Sequence, residues 1–468
     1  MSYFSLIYLG IFSIIISVLS FFNIIYSYYF NFYLNLNCYV YSLILSLFVG
    51  LIFLFKKKDN YKISIYHKIL TAILGYIILP IIISVPYYFS IYNISFLDSY
   101  FEAISGFTST GFTIFDNIKH LDESLILWRS SSQWLGGLYF LFSIVLLIDI
   151  FDNNLKKSLT NFLSFNKLEA QKQASKILIL YISLTFFIFI ILKIFDFRSF
   201  DSFNLSMTLI SSGGFLPTNS LSIIINTNTK EFIFSLLMLV SFFSIFLSYN
   251  LLFVKTKNIN FFQEDILLFI YLITLLILFF LFFNFDYNFG VLLLSLISSI
   301  SNIGISLEQS PQNLSFIFLL LVIIGGSFFS TSSGIKFLKL YSLFRFSINN
   351  LSSHVKPKNI FVNRHSFFNI SFEEKEINRY FLTVMIFIIS LFLLTSLLTI
   401  SNISLESSFK LSTLTLMNTV NSSMHGLNDF NFQELHFFTK YYLIIFMIIG
   451  RVELLTLLIF FKKFLFKN

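Results

Sequence analysis

Ser105–Thr113 reads SGFTSTGFT, a knot of hydroxyls and two glycines set among runs built from Phe, Ile and Leu. One such polar island is explained by close helix packing, because small residues let membrane helices approach. Here the island recurs. SYFEAISGFTSTGFT (99–113), SFNLSMTLISSGGF (202–215), LLLSLISSISNIGIS (292–306) and SSFKLSTLTLMNTVNSS (407–423) share one pattern, a half-length apolar stretch that ends in small polar residues. With Gly111, Gly213, Gly304 and Asn421 taken as equivalent, the spacings are 102, 91 and 117 residues. A repeat at such a period sets the architecture.

Composition supplies the solvent. The 468 residues are 56% hydrophobic and 12% charged, against roughly 25% charged in soluble domains. Apolar stretches of about twenty residues, the length that crosses a bilayer, occur near 3–29, 38–55, 66–92, 125–150, 177–195, 231–254, 263–285, 313–345, 380–400 and 440–461. The expected fold class is therefore an all-α polytopic membrane protein with ten spans. The opening MSYFSLIYLGIFSIIISVLS has no early basic residue and no small-residue cleavage site, so it reads as a retained span.

The net charge of +8 lies in short loops rather than on one basic face, which argues against nucleic acid as partner. Lys56, Lys57, Lys58, Lys62 and Lys68 mark one basic interval, and Lys156, Lys157, Lys167, Lys172 and Lys176 a second. Lys255 and Lys257 mark a third, the region from Lys336 to Arg379 a fourth, and Lys462, Lys463 and Lys467 the tail. These intervals are expected in the cytoplasm. The four polar repeats fall in the intervals between, so each is expected to enter from outside as a re-entrant helix too short to cross. The expected layout is a two-helix hairpin over 1–60, then pore repeats over 61–160, 161–257, 258–350 and 351–468.

Non-helical backbone at membrane depth survives only where protein buries it or it lines a wet cavity. Four such segments around one axis would make that cavity. Each short helix would aim its partly negative C-terminal end inward, favouring a cation. Glycine at the turn would let carbonyl oxygens face a dehydrated ion. The expected ion filter is Thr110, Gly111 and Phe112; Ser212, Gly213 and Gly214; Asn302, Ile303 and Gly304; and Val420, Asn421 and Ser422. The single cysteine, Cys38, offers neither disulfide nor thiolate cluster and reads as a packing residue. No metal site beyond the permeant ion and no cofactor in the chain are expected.

These residues resemble the Trk/Ktr/HKT superfamily of potassium transporters over nearly the whole chain. STGFT (109–113), SSGGF (211–215) and SNIGIS (301–306) resemble its filter segments, and WRSSSQWLGGL (128–138) resembles the start of the helix after the first. GGSFFSTSSGIK (325–336) is similar to its intramembrane loop, and GRVELLTLL (450–458) to its last helix. The added N-terminal hairpin is Trk-like rather than Ktr-like. The resemblance implies potassium uptake at a bacterial cytoplasmic (inner) membrane, a homodimer with one pore per protomer, and a cytosolic nucleotide-binding ring as a separate polypeptide. It also implies a gate formed by Gly325, Gly326, Ser327, Ser330, Thr331, Ser332, Ser333, Gly334 and Lys336, with Arg451 approaching the pore from the last helix.

Other readings stand beside these. GGSFFSTSSGIK weakens a helix by composition alone and would serve as a packed kink. Lys336 would equally serve as a snorkelling anchor. Arg451 reads as a pore-facing charge or, failing that, as half of an ion pair, with Glu453 nearby in sequence but on another face. Glu102 would hydrogen-bond the first loop or sit solvated at the outer mouth, and His425 reads as a pH sensor or a plain loop residue. Asn421 departs from the glycine expected after NTV; tolerant of left-handed backbone, it would still crowd the lumen, so weakened potassium over sodium discrimination is expected. Gly426, five residues on, offers a second register. The competing function is secondary transport of sodium or a small organic solute, a class that usually shows two inverted repeats. Enzymatic activity is not expected, because the longest basic interval, 346–379, is too short for a catalytic domain.

Overall fold

The computed structural model describes residues 3–55, 65–151, 170–248, 263–283, 287–355, 374–427 and 430–452. The basic residues expected at 56–62, 156–167, 255–257, 356–364 and 462–467, together with Glu453, lie outside the described residues. The chain is a polytopic helical membrane protein. Among the described residues, seven helices are long and apolar enough to cross a membrane.

Helices α1 (Tyr3–Tyr29) and α2 (Leu36–Phe55) form the expected N-terminal hairpin. They approach closely at Gly50, where an added Cβ would lie 2.9 Å from Ile14 and 3.3 Å from the Gly10 carbonyl. The hairpin lies against α3 (Ile65–Tyr88) and α5 (Glu123–Phe151). The long helices α6 (Ala170–Ile194), α9 (Gln263–Phe283) and α13 (Glu374–Ile400) flank the assembly. Exposed apolar side chains such as Ile179, Phe269 and Phe392 stand on them, as lipid-facing surfaces require.

Between the long helices sit four short ones: α4 (Phe96–Phe107), α7 (Ser199–Ile210), α10 (Phe289–Ile300) and α14 (Leu405–Leu416). Each has 12 residues, or about 18 Å at 1.5 Å per residue, well short of the hydrocarbon thickness. Serine hydroxyls cap two of them, Ser95 accepting from the Asp98 amide and Ser404 from the Ser407 amide.

Among the described residues, two of the ten expected spans differ from simple helices. The run 313–345 is split into α11 (Ser315–Ile323), the two-residue strands β1 (Ile324–Gly325) and β2 (Ile335–Lys336), and α12 (Phe337–Val355). The run 231–254 contributes α8 (Asn228–Phe242), which stops at Phe243 because the next amide, Ser244, donates to the Asp265 carboxylate instead. The last span, α15 (Phe437–Val452), is described only as far as Val452.

Candidate functional site: a ring of four re-entrant loops

All four short helices end in the same hydrogen-bonded turn. Amides two and three residues past the last helical residue bond back to carbonyls one and two residues before it: Ser109 to Gly106 and Thr110 to Ser105, then Ser212 to Leu209 and Gly213 to Thr208. The third and fourth turns match, with Asn302 to Ser299 and Ile303 to Ser298, and Asn418 to Thr415 and Thr419 to Leu414. This is the Schellman closure, which needs one left-handed residue. Ser109, Ser212, Asn302 and Asn418 supply it, with φ of 57°, 55°, 59° and 47°.

That shared turn fixes the register. Two residues past each left-handed position stand Gly111, Gly214, Gly304 and Val420. The sequence alignment through Gly213 and Asn421 is therefore one residue early in the second repeat and one residue late in the fourth. Gly213 belongs to the turn itself, beside the Gln133 amide, where an added Cβ would meet Oε1 at 2.2 Å. Asn421 is equivalent to Phe112, Phe215 and Ile305, and its side chain reaches the Leu427 carbonyl at 3.4 Å. Gly426 closes a separate turn with φ 68°.

A second shared feature ties the loops to their helices. The Ser105 hydroxyl donates to the Phe112 carbonyl at 2.6 Å, Thr208 to Phe215 at 3.1 Å and Ser298 to Ile305 at 2.6 Å. The fourth helix has Leu414 at that position and lacks the staple.

The loops meet in cyclic order. Asn219 on the second receives the Ile118 amide at 2.7 Å, and Ser212 donates to the Ser301 carbonyl of the third at 2.7 Å. Ser306 and Ser423 pair at 2.6 Å between third and fourth, and Asn418 donates to the Thr110 hydroxyl at 3.0 Å, closing the ring. Above it opens a cavity of about 540 Å³ to which all four loops contribute, with Gly111, Gly214, Ile305 and Val420 in its wall.

The first loop is held by charge. Glu102, fully buried, pairs with buried Arg129 at 2.8 Å and accepts from the Thr113 hydroxyl at 3.1 Å and the Ile114 amide at 2.9 Å. Arg129 also reaches Thr113 and lies 4.2 Å over the Phe215 ring of the second loop. Of the two readings of Glu102, loop anchoring is the one the geometry gives. Arg129 is a site residue that the sequence reading does not name, although a cation deep in an apolar span carries the same signal as Arg451.

Beneath the ring runs the segment 324–336. Its strands pair in parallel, Ile324 with Ile335 and Gly325 with Lys336. Ser327 and Ser332 amides cap the last carbonyls of α8 at Phe242 and Ser241, and the Thr331 hydroxyl donates to the Ile210 carbonyl at 2.7 Å, at the end of the second re-entrant helix. Gly334 turns with φ 75°, and an added Cβ there would lie 2.8 Å from the Gly325 nitrogen. Lys336 is buried, and its ammonium folds back onto the carbonyls of Ser327, Ser330 and Ser332 at 3.2, 3.2 and 2.8 Å. This is not a snorkelling anchor. Glu264 at the start of α9 receives the Phe328 amide at 2.8 Å, a partner that sequence reasoning did not foresee.

Arg451 is buried and joins the two levels: one guanidinium nitrogen donates to the Ser333 hydroxyl of the lower segment, another to Ser109 of the first loop at 3.4 Å. Phe140 lies 4.0 Å beneath the guanidinium. His425 is fully buried, with Nδ1 near the Ser422 hydroxyl. Desolvation, with Lys410 nearby, pushes its pKa down to about 3, so it is neutral at ordinary pH and does not titrate there as a sensor.

A ring of four Schellman-capped re-entrant helices above a broken, glycine-rich segment can be compared with known folds. The crystal structure of the potassium transporter TrkH from Vibrio parahaemolyticus superposes with a TM-score of 0.81 at 20% identity, covering 97% of this chain and 98% of that one. The chain has the fold of TrkH. The family model described as TrkH, cation transport protein, matches residues 303–467. The Trk system potassium uptake protein TrkH of Escherichia coli is 22% identical over 86% of this chain and 87% of its own length. An uncharacterized cation transporter of Methanocaldococcus jannaschii is 24% identical over 71% and 70%. The structural match covers the N-terminal hairpin as well as the ring.

Proposed function

We propose that this protein carries potassium into the cell through the four-loop ring, with 61–160, 161–257, 258–350 and 351–468 as its pore repeats. The observation that carries this reading is the convergence of four identical helix-ending turns on one axis. The C-terminal ends of short helices and turned backbone carbonyls favour a dehydrated monovalent cation. A negative cell interior supplies about 2.3 kcal/mol per charge per 100 mV, sufficient for inward flux without hydrolysis in this chain. The names of the Trk relatives support potassium as the ion.

The segment 324–336 is the gate in this reading. It lies across the inner side of the ring, and Arg451 couples it to the first loop through Ser333 and Ser109. A homodimer in the cytoplasmic (inner) membrane, regulated by a separate cytosolic nucleotide-binding ring, completes the proposal. The test is growth of a potassium-uptake-deficient bacterium at low potassium. Expression of the chain, with a cytosolic partner where needed, restores growth; no rescue despite confirmed membrane insertion, with and without that partner, would overturn the reading.

A further inference from the structure

The ring has three glycines and one valine at its equivalent level, and the valine does not stay at its own wall. Consecutive loops are neighbours, so the second and fourth face each other across the axis. An added Cβ on Gly111 of the first loop would lie 2.9 Å from the Val420 Cβ, and one on Gly214 of the opposite second loop only 2.3 Å from it. A side chain that meets both an adjacent and the opposite loop crosses the axis. Because the contact is made by Cβ itself, no rotamer of Val420 removes it.

The backbone carries the same message. Gly111 and Gly304 turn with φ of 83° and 80°, a region that a β-branched residue enters only as an outlier. Val420 does not take that turn, and neither does Gly214 opposite it, although glycine could. One wall of the cavity floor is thus apolar, and two of four loops present their carbonyls differently from the other two. In a filter whose discrimination depends on the number and field of coordinating oxygens, both changes act against a large dehydrated ion.

We infer that Val420 is the specificity-determining residue of this transporter: its isopropyl group narrows the filter and removes one quarter of the carbonyl-presenting wall, which slows potassium passage and relaxes discrimination against sodium. This rests on the transport reading above. The role expected for Asn421 from sequence passes to its neighbour.

The test uses the full-length protein reconstituted in liposomes, with uptake of rubidium and of sodium measured for wild type, Val420→Gly, Val420→Ala and Val420→Ile, each shown to be monodisperse by gel filtration. Val420→Gly is expected to raise rubidium uptake and the rubidium to sodium ratio each by about tenfold, the scale of discrimination one or two methyl groups supply in a tight site. Val420→Ala falls between, and Val420→Ile conducts less than wild type. Wild type that conducts, with the glycine and alanine variants unchanged in both rate and ratio, would overturn the role of Val420 and leave transport standing. Absence of rubidium and sodium flux in every protein would remove the transport reading, and this inference with it.

Discussion

The first and fourth loops of the ring end in the same turn, yet different forces hold them. The first is stapled by the Ser105 hydroxyl and clamped by the buried Glu102–Arg129 pair. The fourth has Leu414 for the staple and Val420 for the glycine, and its outgoing limb is held by neutral contacts: Ser423 to the Leu307 carbonyl at 2.9 Å, Ser306 to Ser423, and Ser422 to His425. The shared turn shows that backbone closure alone sets where a re-entrant helix stops. Beyond the turn, the path of each loop depends on side chains that its own repeat supplies, so the four loops diverge in chemistry while converging in geometry.

The largest expected effect breaks the charged side of that comparison. Glu102→Gln leaves Arg129 buried opposite a neutral amide, and removing one partner of a buried pair costs about 3–5 kcal/mol. A large fall in apparent Tm of the detergent-solubilised protein, with loss of rubidium flux, is expected; an unchanged Tm would mean that the pair does not hold the loop.

Next comes the fourth loop and acid. His425 is neutral in the folded protein down to about pH 3 but takes up a proton near pH 6.5 when unfolded. The unfolded state then binds more protons, so the stability contribution is intact above about pH 6.5 and is lost progressively as pH falls toward 3, at about 1.4 kcal/mol per unit. His425→Gln is expected to flatten this part of the pH profile of thermal unfolding. A wild-type profile already flat from pH 7 to 4 would show the ring to be solvated.

The smallest effects exchange one feature between the loops. Ser105→Ala removes a buried hydroxyl donor and is expected to cost about 1 kcal/mol. Leu414→Ser places a hydroxyl seven residues before Asn421, as in the other three repeats. With Val420→Gly it is expected to bring the fourth loop toward the others, raising the rubidium to sodium ratio beyond that of Val420→Gly alone. An equal ratio in single and double variants would show that the staple stabilises the loop without shaping the filter.

Much of this was legible in the residues. The four half-length stretches, the extra hairpin and the broken run around GGSFFSTSSGIK each arise from apolar length and small polar composition, and each stands in the structure as a short helix, a helix pair or a split span. The register was not, because glycine and the NTV triplet are the conspicuous landmarks in the residues while the chain closes on left-handed Ser109, Ser212, Asn302 and Asn418. Serine carries no strong signal for that conformation. The hydroxyls Ser105, Thr208 and Ser298 were visible, but their partners seven residues on become partners only when the loop doubles back.

By itself the sequence determined that this chain lives in a membrane and enters it four times without crossing, because hydropathy and segment length act locally along the chain. Tertiary structure decided which residue of each loop reaches the axis, that Glu102 meets Arg129, that Lys336 turns inward onto its own loop, and that Val420 rather than Asn421 stands opposite Gly214. Those outcomes depend on four segments brought together around one axis, at distances that no local pattern encodes.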